Sequence, residues 1–163
     1  MRQILTILGA AGLLASCSGD SAAPVNTVVE KATALTPGEY ELTAKVDELR
    51  STDKTTPATQ SKVGPEPSIT RTCVGPENAI EPAAFVEAGE TCTPSESYMK
   101  NGRMNLQYKC RRSGKGELTQ MVDGDFEADS FSGQIRTSTY FSGPGDYDLV
   151  RGVTAKRVGE CAA

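Results

Sequence analysis

Histidine is absent from the 163 residues, and so is tryptophan. Without imidazole there is no Ser-His or Cys-His pair and no histidine general base, which excludes histidine-based catalysis outright. The five cysteines form no C-x-x-C pair, and with no histidine to complete a ligand set this argues against a zinc centre and against a thioredoxin-like redox motif. Aromatic side chains make up only 6% of the chain and hydrophobic residues 37%, so the core is lean and something else should help hold it. No apolar run reaches the roughly 20 residues a membrane helix needs. Basic residues are outnumbered, 17 to 21, which argues against nucleic acid as a partner.

What is present begins at the N-terminus. One positive charge at Arg2 precedes the apolar stretch Ile4 to Leu14, which has the length and flanks of a secretory signal. Leu14-Ala15-Ser16-Cys17 follows, and this run is similar to the bacterial lipobox. The small residues suit a peptidase groove, and the Cys17 thiolate is the nucleophile that would take up diacylglycerol. Cleavage before Cys17 leaves an amine for a further acyl chain such as palmitate, and two or more chains hold a protein on a bilayer durably. Ser18 rather than Asp follows the cysteine, which points to the outer membrane, with the domain facing the periplasm. Residues 1–16 thus read as signal peptide, 17–35 as lipidated cysteine and tether, and 36–163 as one β-rich periplasmic domain. Loss of Arg2 leaves 16 basic residues against 21 acidic ones, a net charge of −5 on the processed chain.

With Cys17 assigned to lipid, Cys73, Cys92, Cys110 and Cys161 are even in number in an oxidising compartment, and two disulfides are expected. The pairing can be argued from the hairpin between Cys92 and Cys110. A two-residue Asn101-Gly102 turn pairs residue 100 with 103 and leaves these cysteines one residue out of register. A three-residue turn over Lys100-Asn101-Gly102 pairs 99 with 103 and sets Cys92 opposite Cys110. The longer turn is therefore expected, with Cys92–Cys110 and, by remainder, Cys73–Cys161.

Tyr40, Leu42, Ala44 and Val46 alternate with Glu39, Glu41, Thr43 and Lys45 after a Pro-Gly turn, the period-two pattern of a strand with one buried face. Residues 51–67 lack periodicity and read as a solvated loop. "GPENAIEPAAFVEAGE" is the one helical passage, split by Pro82 into a turn and a short helix that Gly89 stops. From residue 90 strands alternate with turns at 101–102, 113–116, 127–130 and 143–146. The fold expected is mainly β: an antiparallel meander forming a curved sheet or partly closed barrel, with one short helix and two disulfides.

These pieces in order resemble a Gram-negative envelope family, the domain of unknown function numbered 3617. The residues carrying the likeness are "LTPGEYELTAKV", Cys73 with the Pro-Glu-Asn that follows, Cys92, "NGRMNL" leading to Cys110, "GDFEADSF", and the closing "KRVGEC". The likeness spans about residues 35 to 161. Tyr40 stands where the family more often shows Trp, and the 51–67 loop is peculiar to this chain. The resemblance implies architecture and an envelope address; it brings no activity and no catalytic residues.

Three stretches invite chemistry. Ser97-Tyr98-Met99-Lys100 reads S-x-x-K, but on a strand positions i and i+3 point to opposite faces, so the amine cannot reach the hydroxyl. Asp123, Asp125, Glu127 and Asp129 are spaced like a calcium loop, yet Ala128 and Gln134 stand where the glycine and the bidentate glutamate belong. Lys109, Arg111, Arg112 and Lys115 cluster at a glycine turn and could touch anionic headgroups, though a solubilising turn is the plainer reading. No cofactor and no enzymatic activity are expected. Two binding roles remain for a monomer tethered to the membrane by its lipid. A carrier of a small apolar or amphipathic ligand would have an open interior lined by Tyr40, Leu42, Leu106, Tyr108 and Ile135. A protein-partner module, such as an envelope inhibitor of a secreted enzyme, would have a filled core and a functional loop at 51–67 or 111–116.

Overall fold

The computed structural model describes residues 31–162. The signal peptide, Cys17 and most of the expected tether lie outside these residues. Seven strands run β1 Gly38–Ser51, β2 Ser68–Val74, β3 Glu90–Lys100, β4 Arg103–Arg112, β5 Gly116–Glu127, β6 Ser130–Phe141 and β7 Tyr147–Gly159. They form a single antiparallel sheet in the order β2-β1-β7-β6-β5-β4-β3. Strands β3 to β7 are a meander, and β7 then pairs with β1, so the sheet curls into a half-barrel whose two edges are β2 and β3.

Period-two alternation sets the inner face. Met104, Leu106, Tyr108 and Cys110 on β4, Leu118 and Val122 on β5, and Leu149, Val153 and Ala155 on β7 are all buried. Their neighbours in sequence point outward and are mostly polar. In the β5–β6 ladder Gly124 faces Gly133, and the strands lie so close there that neither position has room for a Cβ.

The open side of the half-barrel is crossed by residues 75–89, a strap rather than a helix. Only two single 3-10 turns form in it, Pro76–Asn78 and Pro82–Ala84. The helix expected here fails for two local reasons. Pro82 forces Glu81 into extended backbone, with φ −63 and ψ 133, and Glu77 and Asn78 sit in the left-handed region at φ 58 and 60. Ile80 bridges to Val74, and the second turn touches both β2 and β3, so the strap links the two sheet edges. Its centre carries Phe85, fully buried, with ring centroids 5.9 Å from Tyr108 and 6.2 Å from Phe131.

The disulfides flank this strap. Cys73 on β2 joins Cys161 beyond β7, and Cys92 on β3 joins Cys110 on β4. The register behind Cys92–Cys110 differs from expectation. Asn101-Gly102 makes a two-residue turn with φ 54 and 72, and Lys100 pairs with Arg103. A bulge at Ser95 supplies the missing residue and restores Cys92 opposite Cys110.

Both ends of the half-barrel are covered. At one end residues 31–36 cross the turns: Gly102 N donates to Ala32 O at 2.8 Å, Thr36 N donates to Ala128 O at 2.7 Å, and Leu35 is buried. At the other end the 51–67 segment is less solvated than its composition suggests. The Asp53 carboxylate accepts from the backbone N–H groups of Gly145 and Asp146 at 2.7 and 3.1 Å, and Ala58 N donates to Gly145 O at 2.9 Å. Hydrogen bonds from Thr55 and then from these amides hold the Asp53 carboxyl well below the usual carboxylate range.

Candidate functional site

The concave face gathers the residues that the alternation singles out. Tyr40, Leu42, Leu106, Tyr108 and Ile135 all project into it, each at most 3% exposed. They line a filled interior, because Phe85 of the strap occupies the space between the sheet walls. The open interior that a carrier would present is therefore not seen. Surface depressions lie elsewhere, one of about 540 Å³ on the outer face beside Thr91, Lys109, Arg111, Glu117 and Tyr140, and one of about 260 Å³ beside Cys73 and Cys161.

Chemistry concentrates where the strap meets the barrel mouth. Glu87 is the strap's second residue after Phe85, and Glu90 opens β3 with a fully buried side chain. Arg112, the last inward residue of β4, donates from Nη2 to Glu87 at 2.8 Å and also to Glu90 and to Tyr147 Oη at 2.8 Å. Tyr147 Oη donates to Glu87 at 3.0 Å, and the hydroxyls of Thr59 and Ser61 donate to its other oxygen. Gln120 Nε2 donates to Glu90 at 3.2 Å. Arg151, inward on β7, donates to the Phe85 carbonyl oxygen. The strap is thus held by a polar latch above its apolar plug, with the Arg112 guanidinium also 5.3 Å from the Phe141 ring centre.

The titration of these groups follows from that setting. Burial by itself would raise the Glu87 carboxyl, but hydrogen bonds from Ser61, Thr59 and Tyr147 and the Arg112 charge outweigh it and leave the group below its ordinary value. Burial pushes the Tyr147 phenol up to about 12, with the Glu87 charge adding to the effect, and burial alone pushes Tyr108 up to about 12. Burial lowers Arg151, opposed by the charges of Glu87 and Glu90. Two glutamates converge here, and both accept hydrogen bonds from donors of the chain itself.

Among the described residues, four buried polar atoms near this latch have no partner within the chain: Arg112 Nε, Arg151 Nε, Thr137 Oγ1 and Gln120 Oε1. Gln120 and Thr137 are direct cross-strand neighbours on the inner face, 1% and 2% exposed.

The other candidate stretches come apart in three dimensions. Ser97 to Lys100 lies wholly on β3, where Ser97 faces Leu106 and Lys100 faces Arg103. Asp123, Asp125 and Glu127 fall on the outer face of β5, and Asp123 accepts from Asn105. The basic turn is dismantled, since Arg112 points inward and Arg111 pairs with Glu117 at 3.1 Å on the surface. Reasoning from sequence missed Phe85, Glu87, Glu90, Gln120, Tyr147 and Arg151. Gln120, Thr137 and Arg151 could have been noticed as polar residues at inward positions of period-two strands.

The family described as "Protein of unknown function (DUF3617)" matches residues 35–161, and the chain belongs to it. The match starts at Leu35, which is buried at the capped end. No curated protein and no solved structure matches the chain.

Proposed function

We propose that this is a non-enzymatic binding domain of the cell envelope, anchored through lipid on Cys17, whose concave face takes a small amphipathic ligand when the strap moves aside. The observation that carries this reading is the construction of the strap. Among the described residues its backbone is tied to the sheet only by the Val74–Ile80 bridge and by Arg151 on the Phe85 carbonyl, so mainly side chains seat it over an apolar wall. Segments with few backbone ties to their surroundings are the ones that open locally. An address at the outer membrane facing the periplasm is in keeping with the lipobox and with two disulfides.

A second reading, a protein-partner module, is favoured by the filled interior and by the outer depression. There Tyr140 is 64% exposed beside Lys109 and Arg111, and Tyr and Arg are the residues on which protein interfaces most often depend.

Native mass spectrometry of the full-length protein after secretion into an oxidising periplasm separates the two. A small molecule that co-purifies and is lost on denaturation supports the binding domain. A bare protein that instead crosslinks to an envelope protein through a photoreactive residue at position 140 overturns it in favour of the partner module. The N-terminal peptide from the same sample, carrying acyl chains on Cys17 or not, tests the anchor.

A further inference from the structure

We propose that Phe85 and Glu87 are an intramolecular stand-in for an acidic amphiphile, and that the ligand class of the concave face is a long apolar chain ending in a carboxylate or a comparable anion. The inference rests on the binding reading above and names the ligand of the same site. Two residues apart on one strap, Phe85 buries an aromatic plug among Tyr108 and Phe131 while Glu87 delivers a carboxylate to Arg112 and Tyr147. A ligand that fills both places must carry both chemistries in the same order, apolar inside and anionic at the mouth.

The donor count at the mouth points the same way. When the strap leaves, Glu87 leaves with it. Arg112 Nη2 and Tyr147 Oη then lose an acceptor, and Arg151 loses the Phe85 carbonyl. Arg112 Nε and Arg151 Nε have no acceptor among the described residues even in the closed form. Gln120 Oε1 is an unpartnered acceptor, and the Thr137 hydroxyl, which can donate or accept, is unpartnered as well. The fixed charges left facing the space are Arg112 and Arg151 against Glu90, a net positive charge. A cationic mouth over an apolar wall selects an anionic head, and a neutral alcohol of the same chain length would leave the Arg151 charge and the place vacated by Glu87 unanswered. The closed form is then a competitor for its own ligand. The apparent affinity is reduced by the fraction of molecules in which the strap is displaced.

The test uses the oxidised full chain, hexadecanoic acid and hexadecan-1-ol, with binding followed by native mass spectrometry and calorimetry. The wild-type protein is expected to prefer the acid over the alcohol by about tenfold, the equivalent of one charge-assisted contact. Glu87→Gln removes the competing carboxylate while keeping its shape and weakens the latch, so it should tighten both compounds by several-fold and leave the preference for the acid in place. Phe85→Ala removes the plug and should tighten both, once its circular dichroism and its two disulfides show that it has folded. Equal affinity for acid and alcohol in the wild type and in Glu87→Gln would overturn the anionic-head assignment and leave the binding reading standing. Absence of binding of either compound by the wild type, Glu87→Gln and folded Phe85→Ala would overturn both.

Discussion

Arg112 and Glu87 meet across the mouth of the half-barrel, with Nη2 2.8 Å from a carboxylate oxygen and side chains only 14% and 16% exposed. The same guanidinium holds Glu90, whose side chain is fully buried. Removing one member of such a cluster strands the others without compensation, which costs about 3–5 kcal/mol. Arg112→Met keeps most of the aliphatic stem and loses the charge. It should therefore lower stability by about 3 kcal/mol, and its melting temperature should fall by roughly 10 °C. A loss below about 1 kcal/mol in urea unfolding would mean that the pair behaves as a solvent-screened surface bridge and that the latch does not hold the strap.

The latch should also give way in acid, and the sign follows from Glu87. Its folded-state carboxyl titrates below the ordinary value, so it contributes stability above the unfolded value of about 4.3 and loses that contribution as the pH falls through the folded value. Glu87→Gln has no proton to take up. The stability difference between wild type and Glu87→Gln should be constant from pH 7 to about 5 and shrink as the pH falls below about 4. Urea unfolding at pH 7, 4 and 3 measures it, and a difference that does not change with pH would remove Glu87 from the acid limb.

The alternation that turns Tyr40 and Leu42 inward was legible from sequence, because a strand with one buried face has period two. The Cys92–Cys110 pairing was legible for the wrong reason. Asn-Gly takes its favoured two-residue turn, and Ser95 corrects the register with a bulge that no periodicity announces. The strap was misread as partly helical because its composition, Ala-Ala-Phe-Val-Glu-Ala, satisfies helix propensity. Pro82 and the left-handed Glu77 and Asn78 override it. The latch was invisible for a more general reason. It is assembled from the strap, β3, β4, β5, β7 and the 51–67 loop, and a convergence of side chains across six segments leaves no spacing in the chain.

The two disulfides close loops of very different length, with sequence separations of 18 for Cys92–Cys110 and 88 for Cys73–Cys161. On the chain-entropy account their removal costs about 3 and about 4.6 kcal/mol. Cys92 and Cys110 would still face each other across a paired ladder, whereas Cys161 lies beyond the end of β7 and would lose its tie to the edge strand. The paired Cys73→Ser, Cys161→Ser variant should therefore be less stable than the Cys92→Ser, Cys110→Ser variant by about 1.5 kcal/mol. Urea unfolding of both variants under one set of conditions measures the difference, and the opposite order would show that local strain at the β3 edge outweighs loop length.

Gly124 and Gly133 face each other with no room for a side chain at either, and their tolerance to a methyl group is the most direct test of the curl. A Cβ on Gly124 would lie 2.1 Å from the Ser132 carbonyl oxygen, and one on Gly133 would lie 2.0 Å from the Asp123 carbonyl oxygen. Both obstacles are backbone, so no rotamer change relieves them, and the two strands would have to part. Beyond this pair the strands carry Phe126 and Phe131, each 3% exposed, and Phe131 packs on both Phe85 and Tyr40. Parting the strands would lift those rings off the strap's plug. Gly→Ala inside a strand ordinarily gains about 0.5–1 kcal/mol from reduced backbone entropy. Here the sign should reverse, with Gly124→Ala and Gly133→Ala each losing more than about 2 kcal/mol. Gly143→Ala, with nothing within 4 Å of its added methyl, should stay within about 0.5 kcal/mol of wild type. If all three substitutions were equally mild in urea unfolding, the two strands would not approach this closely, and the curl that brings Phe131 under Phe85 would need another cause.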